Sequence, residues 1–384
     1  MKVINGLKNV RILTPEGFIN GNLQIDNGKI TNINYDPNFN GLTFTDVVTV
    51  VPGFIDEHIH GANGSDVMDG DLDSLSNIAC TIVKEGVTSF LATTMTQKED
   101  VIIKALNNVK EYVDNPVENG AEVIGIHLEG PFLNPSACGA QDPAYIVNPD
   151  VDKLKRYQDA SGNLIKLVTV APEMPGGIEF IKYCTSAGIV ASIGHTKATY
   201  EDAHQAVLAG ATNVTHCFNA MSGLHHRDVG VVGAALLHDE LTTELIADGI
   251  HVSKEAIKIL YKLKGKDKLT LVTDAMEAKW LPDGEYELGG QKVYVKGKEA
   301  RLTNGTLAGS VLKMNEAVGN MHDFLDATLE DIIYMASVNP AKKLGVYDRK
   351  GSIEPGKDAD LVVLNDNLEV IMTIVKGRIC YCKE

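Results

Sequence analysis

Residues 50–61 read VVPGFIDEHIHG, and this run decides the fold. An apolar stretch ends abruptly in two histidines, His58 and His60. In an extended strand, residues i and i+2 face the same side, so both imidazoles aim at one point. Two neutral imidazoles placed this way favour a divalent metal such as zinc, iron or copper. Working outward, strand-like apolar runs fall at 50–58, 87–93, 122–129, 165–171, 189–195, 212–216, 243–248 and 269–274. Amphipathic segments at 72–85, 101–112, 178–187, 200–209 and 254–263 lie between them. Strand and helix alternating every 25–40 residues or so is the mark of βα units and a parallel sheet. Eight such strands predict an α/β fold, a (β/α)8 TIM barrel, with its active site at the C-terminal strand ends.

The chain ends have a different texture. RILTPEGFINGNLQIDNGKITNI (11–33) has short alternating runs broken by PEG, ING and DNG, which are hairpin signals. The tail returns to β pattern in ADLVVLN and IMTIVKGRICY. The expected organisation is a barrel over 51–345, with residues 1–50 and 346–384 jointly forming a small β-sandwich-like domain. EYELGGQKVYVKGKEARLTNG, within 285–308, reads as a β-hairpin insertion after the eighth strand, with helices following near 311–325 and 328–337.

Bulk properties narrow the function classes. The 384 residues exceed the usual single-core limit of ~250–300, which suits one large domain with a smaller companion. A formal net charge of −16 argues against nucleic acid and anionic membrane surfaces as partners. The N-terminus lacks a secretory apolar core, no run approaches membrane-helix length, and six scattered cysteines form no CxxC pair. These point to a cytoplasmic protein with reduced thiols. Cys217 follows His216, but adjacent strand residues face opposite sides, so it reads as a packed thiol.

Ligand-capable residues recur at the strand ends. His58 and His60 end the first, Glu129 in GIHLEGPF the third, and His195 in ASIGHT the fifth. His216 in NVTHCFNA ends the sixth and Asp274 in LTLVTDAM the eighth. A lone histidine is usually a satisfied core or surface residue. Six such residues at one repeated structural position, where barrel side chains converge, are poorly explained by coincidence. His127, two residues before Glu129, reads equally well as packing or as a group that orients a ligand.

VPGFIDEHIHG, HLEGPF, SIGHT, THCFNAM, LVTDAM and the ending NPAKKLGVYDRKGSIEPGKDADLVV together resemble the amidohydrolase superfamily. HLEGPF and its flanks are similar to the branch that deacetylates N-acetylglucosamine 6-phosphate. The resemblance implies one metal held by Glu129, His195 and His216, and a second held by His58 and His60 with Glu129 between. The cofactor is then one or two divalent ions, zinc or ferrous iron. Many amidohydrolases bridge their metals with a carboxylated lysine after the fourth strand; KLVTVAPE (166–173) lacks one there, leaving the bridge to Glu129. Such a metal lowers the pKa of water to about 7. Asp274 is then a metal ligand and the general base that takes the water proton and returns it to the leaving amine.

The resemblance also implies a substrate set. Asn219, the Ala220 amide, Arg227 and His251 are expected to hold a sugar phosphate, with Arg227 and His226 on the loop within FNAMSGLHHRDVG (218–230). An arginine fork suits phosphate because it donates two hydrogen bonds at once. Leu307, Ala308 and Gly309, in NGTLAGSVLKMNEA, are further expected contacts, as are Ala140 and Gln141 in CGAQDPAYI. Many relatives carry histidine where this chain has Gln141, which donates a hydrogen bond but carries no positive charge. A homodimer is the expected assembly, with the Arg227 loop reaching across it. The rival readings are the galactosamine epimer, another amidohydrolase such as an aminoacylase or cyclic-amide hydrolase, and a barrel that has lost catalysis and serves in assembly.

Overall fold

The computed structural model describes residues 2–383. The decisive run splits into two strands in two different sheets: Thr49–Pro52 and Phe54–Ile59. One continuous strand over 50–58 is the sequence expectation, and the break at Gly53 has a steric cause. A Cβ at Gly53 would lie 2.1 Å from Thr88 Oγ1, so only glycine lets the neighbouring strand approach.

Phe54–Ile59 begins the barrel. Val87–Thr94, Glu122–Glu129, Ile165–Val170, Val190–Ile193, Asn213–Val214, Thr242–Ile246 and Leu269–Val272 follow in order, each parallel to the last. The ring closes where Asp274 N–H donates to His58 O at 2.8 Å and His60 N–H to Ala275 O at 2.9 Å. Asp56 reinforces the seam, its carboxylate accepting from Thr273 Oγ1 at 2.6 Å. Helices cover the outside. Several start where an Asp, Thr or Ser side chain takes an otherwise unpaired helix N–H: Asp71 before Leu72–Ile82, Asp150 before Val151–Ser161, Thr199 before Tyr200–Leu208 and Ser253 before Lys254–Lys264.

Both chain ends build one seven-stranded mixed sheet, in the order Arg378–Cys382, Val370–Val375, Leu361–Leu364, Thr49–Pro52, Gly6–Thr14, Gly17–Asp26, Lys29–Asn34. The division expected at 50/51 therefore falls inside a strand of this sheet. Alternation explains how the sheet docks. Val50, Ile12, Leu361 and Val363 enter the sheet's own core, while Val51, Leu13, Val362 and Leu364 enter the barrel's core. The insertion after the eighth strand has three strands rather than a hairpin's two: Gly284–Leu288, Gln291–Lys296 and Glu299–Leu302. Its two turns, at Gly289–Gly290 and at Gly297, each use glycine at positive φ. Among the described residues, no helix is long and apolar enough to cross a membrane.

The barrel interior is layered. At the floor, Ile55, Leu91, Ile124 and Leu167 pack on Ala341, Leu344 and Val346, in and just beyond the helix Asn339–Lys343. Above them lies a buried polar layer. Lys343 Nζ reaches Glu57 Oε1 at 2.5 Å and Asn213 Oδ1 at 2.7 Å, and Asn213 Nδ2 reaches Glu244 Oε1 at 2.9 Å. The candidate ligands stand above this layer.

Candidate metal centre and active site

Three of the candidate ligands lie just past the strands that carry them. His195, His216 and Asp274 have φ of 46°, 28° and 49°, in the left-handed region. There the chain leaves the sheet and swings the side chain over the barrel mouth. Non-glycine residues adopt this conformation at a cost of about 1–3 kcal/mol each, and such strain concentrates at functional sites.

Glu129 sits at the centre, and its two oxygens face different partners. Oε1 lies 3.2 Å from His195 Nε2, 3.1 Å from His216 Nε2 and 3.4 Å from His58 Nε2. Oε2 lies 3.2 Å from His60 Nε2. Asp274 Oδ1 approaches His60 Nε2 at 3.2 Å and His58 Nε2 at 3.5 Å. The donors fall into two sets whose ligand atoms all lie within 4.8 Å of one another: Glu129, His195 and His216; and His58, His60 and Asp274.

Donor chemistry tests whether a cation fits. His195 Nδ1 donates to Ala137 O at 3.0 Å, which leaves a lone pair on Nε2 in the neutral ring. That nitrogen faces His216 Nε2 at 3.0 Å beside a carboxylate oxygen. His58 Nε2 is buried without a hydrogen-bond partner and points at the same carboxylates. Lone pairs and anions converging in a dry site match a metal cage. Electrostatics agree. Burial opposes charge on His58, but Glu129 and Asp274 outweigh it and hold the ring well above its ordinary pKa; His60 is likewise raised to about 9. Burial also opposes charge on the acids, yet the histidines keep Glu129 well below the carboxylate range and Asp274 at about 2. A cation bound here competes with the histidine protons, so binding releases them.

The centre opens into a cavity of about 590 Å³. His60, Glu129, His195, His216 and Asp274 form one end, and Asn219, Ala220, His251, Leu307 and Gly309 line it further out. Asp274 Oδ2 makes no hydrogen bond to the described residues, so this oxygen is free to accept a proton.

A family profile described as the amidohydrolase family matches residues 49–380. The chain belongs to the amidohydrolase family. It is 45% identical over 382 residues to an N-acetylglucosamine-6-phosphate deacetylase of Bacillus subtilis (strain 168), covering 98% of this chain and 96% of that protein. It is 37% identical to an N-acetylgalactosamine-6-phosphate deacetylase of Escherichia coli O157:H7, covering 96% and 97%. Among solved structures it resembles a mutant N-acetyl-D-glucosamine-6-phosphate deacetylase from Mycobacterium smegmatis in complex with N-acetyl-D-glucosamine-6-phosphate. That match has a TM-score of 0.93 and 30% identity, and covers 99% of this chain and all of that one.

Within this amidohydrolase site, some expected substrate residues stand elsewhere. Arg227 is exposed on its loop, hydrogen-bonded to His226 Nε2 at 2.8 Å, and does not line the chain's own cavity. Ala308 is fully buried in the core of the insertion rather than facing the cavity. Ala140 and Gln141 do line it, but the Gln141 amide is committed: Oε1 accepts from Thr96 N and Nε2 donates to Glu129 Oε2, both at 2.7 Å. Gln141 thus steadies Glu129. His127 lies under His58, with ring centroids 4.4 Å apart, and burial pushes its pKa down to about 3, so the ring is neutral. Burial pushes the Cys217 thiol up to about 12, which keeps it protonated.

Sequence reasoning missed Glu244. Fully buried, its Oε2 accepts from His58 Nδ1 at 2.9 Å and from His216 N at 3.2 Å. It therefore fixes the His58 proton on Nδ1 and turns Nε2 toward the metal set. The available signal was an acid inside the apolar seventh strand.

Proposed function

We infer that this protein hydrolyses the acetamide of N-acetyl-D-glucosamine 6-phosphate to D-glucosamine 6-phosphate and acetate. The observation that carries this is the full-length likeness to deacetylases of that substrate, joined to a barrel mouth where two metal-ligand sets, built from four histidines, Glu129 and Asp274, cluster beside one cavity. The galactosamine epimer has less support, resting on the 37% relative.

Glu129, His195 and His216 would hold one divalent ion, and His58, His60 and Asp274 a second, with Glu129 between. Zinc or ferrous iron suits such histidine and carboxylate donors. When bound, the metal polarises a carbonyl and makes water acidic near neutral pH. The chain's residues do the rest. Asp274, ionised far below neutrality, takes the proton of the attacking water and passes it to the departing amine. Gln141 and Glu244 keep Glu129 and His58 from turning away. His251, its Nδ1 held by Asp248 Oδ2 at 2.6 Å, would present Nε2–H to the substrate's phosphate.

A homodimer accounts for Arg227. Its loop adjoins Gly230–Leu237 (GVVGAALL), which is apolar around its whole circumference yet leaves Leu237 66% exposed. Leu224 on the loop, Leu208 on the preceding helix, and Ile259 and Leu263 on the following one are also exposed. In the homodimer a second copy covers these exposed residues, and Arg227 serves the cavity of the partner subunit. The six free cysteines fit a reducing cytoplasm. The direct test is acetate release from both epimeric N-acetylhexosamine 6-phosphates after loading with zinc or with ferrous iron. Release from the gluco epimer at the higher kcat/KM is expected, and no release from either would end the deacetylase reading.

A further inference from the structure

An anionic substrate needs a fixed positive charge, and within one chain the cavity offers a single permanent one. Among its described lining residues, Arg301 is the only arginine or lysine. It belongs to the insertion, on Glu299–Leu302, and its backbone pairs with Leu307, a neighbour in the cavity wall.

Two bonds fix the guanidinium. Nε donates to Glu299 Oε2 at 2.7 Å, and Nη1 donates to Gly305 O at 2.7 Å. A guanidinium carries five N–H groups in a rigid fork, so three remain. None of these bonds to any described residue. The fork is held from behind with its outer edge unengaged, which lowers the ordering cost of gripping an anion. His251 lines the same cavity, so the two side chains can serve one bound anion. An oxyanion between them would satisfy both.

We propose that Arg301 is an in-chain anchor for the anionic end of the substrate, acting beside His251 and independently of Arg227. The proposal rests on the deacetylase reading for the substrate's identity. It adds to that reading a phosphate contact contributed by the inserted sheet.

The test compares wild type with Arg301→Met and Arg301→Lys. The readouts are kcat/KM for N-acetylglucosamine with and without its 6-phosphate, and calorimetric binding of inorganic phosphate. The preference for the phosphorylated sugar should fall at least about tenfold in the Met variant, through KM rather than kcat, since a charge-assisted bond to phosphate is lost. Inorganic phosphate should weaken in parallel, with the Lys variant between Met and wild type. Equal losses on both sugars would mark a purely structural role and overturn the proposal. So would an unchanged preference or unchanged phosphate binding. If wild type binds phosphate through Arg301 yet releases no acetate, the deacetylase reading fails while the anion anchor stands.

Discussion

Replacing Glu244 with Gln removes one charge and almost no volume, yet the surroundings leave the new amide no satisfactory orientation. The carboxylate accepts three hydrogen bonds: from His58 Nδ1, from His216 N and from Asn213 Nδ2. If the glutamine oxygen faces the two histidines, its NH2 meets the NH2 of Asn213. That group cannot flip freely, because Asn213 Oδ1 already accepts from Lys343 Nζ and Thr242 Oγ1, both at 2.7 Å. If the glutamine is reversed, its NH2 meets the His216 N–H, and His58 must accept at Nδ1. The His58 proton then moves to Nε2, the atom needed as a metal ligand.

Either orientation costs a buried hydrogen bond to a charged group, about 1.5–3 kcal/mol. Losing such support beneath a metal ligand typically weakens metal binding about 10–100-fold, or about 1.4–2.8 kcal/mol. The assay is zinc titration of metal-stripped protein against a chromophoric chelator, with imidazole ¹⁵N shifts reporting the His58 tautomer. Glu244→Gln should weaken the ion at His58 and His60 more than the ion at His195 and His216. Wild-type affinity and stoichiometry, with His58 still protonated on Nδ1, would refute the argument.

Three other outcomes follow from the same geometry. Asp274→Asn should lower kcat by about 10²–10⁴ while the protein keeps the metal at Glu129, His195 and His216; near-normal turnover would remove Asp274 from proton transfer. The His251 pKa is raised above its ordinary 6.5, with burial opposing charge and the Asp248 bond outweighing it. A raised group keeps its charge-linked interaction below the unfolded pKa and loses it as pH rises through the folded one. KM for the phosphorylated sugar should therefore climb at alkaline pH, and Asp248→Asn should move that climb to lower pH; a KM flat with pH would contradict this. Stripping the metals with a chelator should lower the melting temperature by an amount that grows with the free metal concentration restored to the reference sample.

How far the sequence disclosed this site depends on what each residue contacts. His58, His60, Glu129, His195, His216 and Asp274 were legible because strand periodicity and barrel topology alone carry them to one end. The split at Gly53 was not, because it depends on Thr88 in another strand. The role of Gln141 was hidden likewise: pattern shows an amide near the site, but only the fold shows both ends of it engaged. Arg301 sits in a strand that alternates like any exposed strand of a small antiparallel sheet, and nothing local marks it as facing a cavity. Arg227 is the opposite case: its loop follows a ligand strand, yet within one chain it does not line the cavity, so its part in the site depends on a second copy.

The charges inside the barrel explain why a polar layer underlies the ligands. Glu57, Glu129, Glu244 and Asp274 are all buried in or above it, and the one lysine hydrogen-bonded into the network is Lys343. Four acids against one lysine is untenable in a dry interior unless protons or metal ions supply the difference. Glu57 answers partly by protonation: burial outweighs Lys343 and raises its pKa to about 7. Glu129, Asp274 and Glu244 are instead held far down by the histidines, so they stay anionic throughout the working range. The division has a functional sense. The acid beside the floor can carry a proton, and its charge is felt by Glu244 and His58 above it, whereas the acids touching the ligand histidines must remain charged for a cation to replace those protons. Lys343 and Asn213 separate the two regimes, so the helix that closes the barrel floor also helps set the charge available to the metal centre above it.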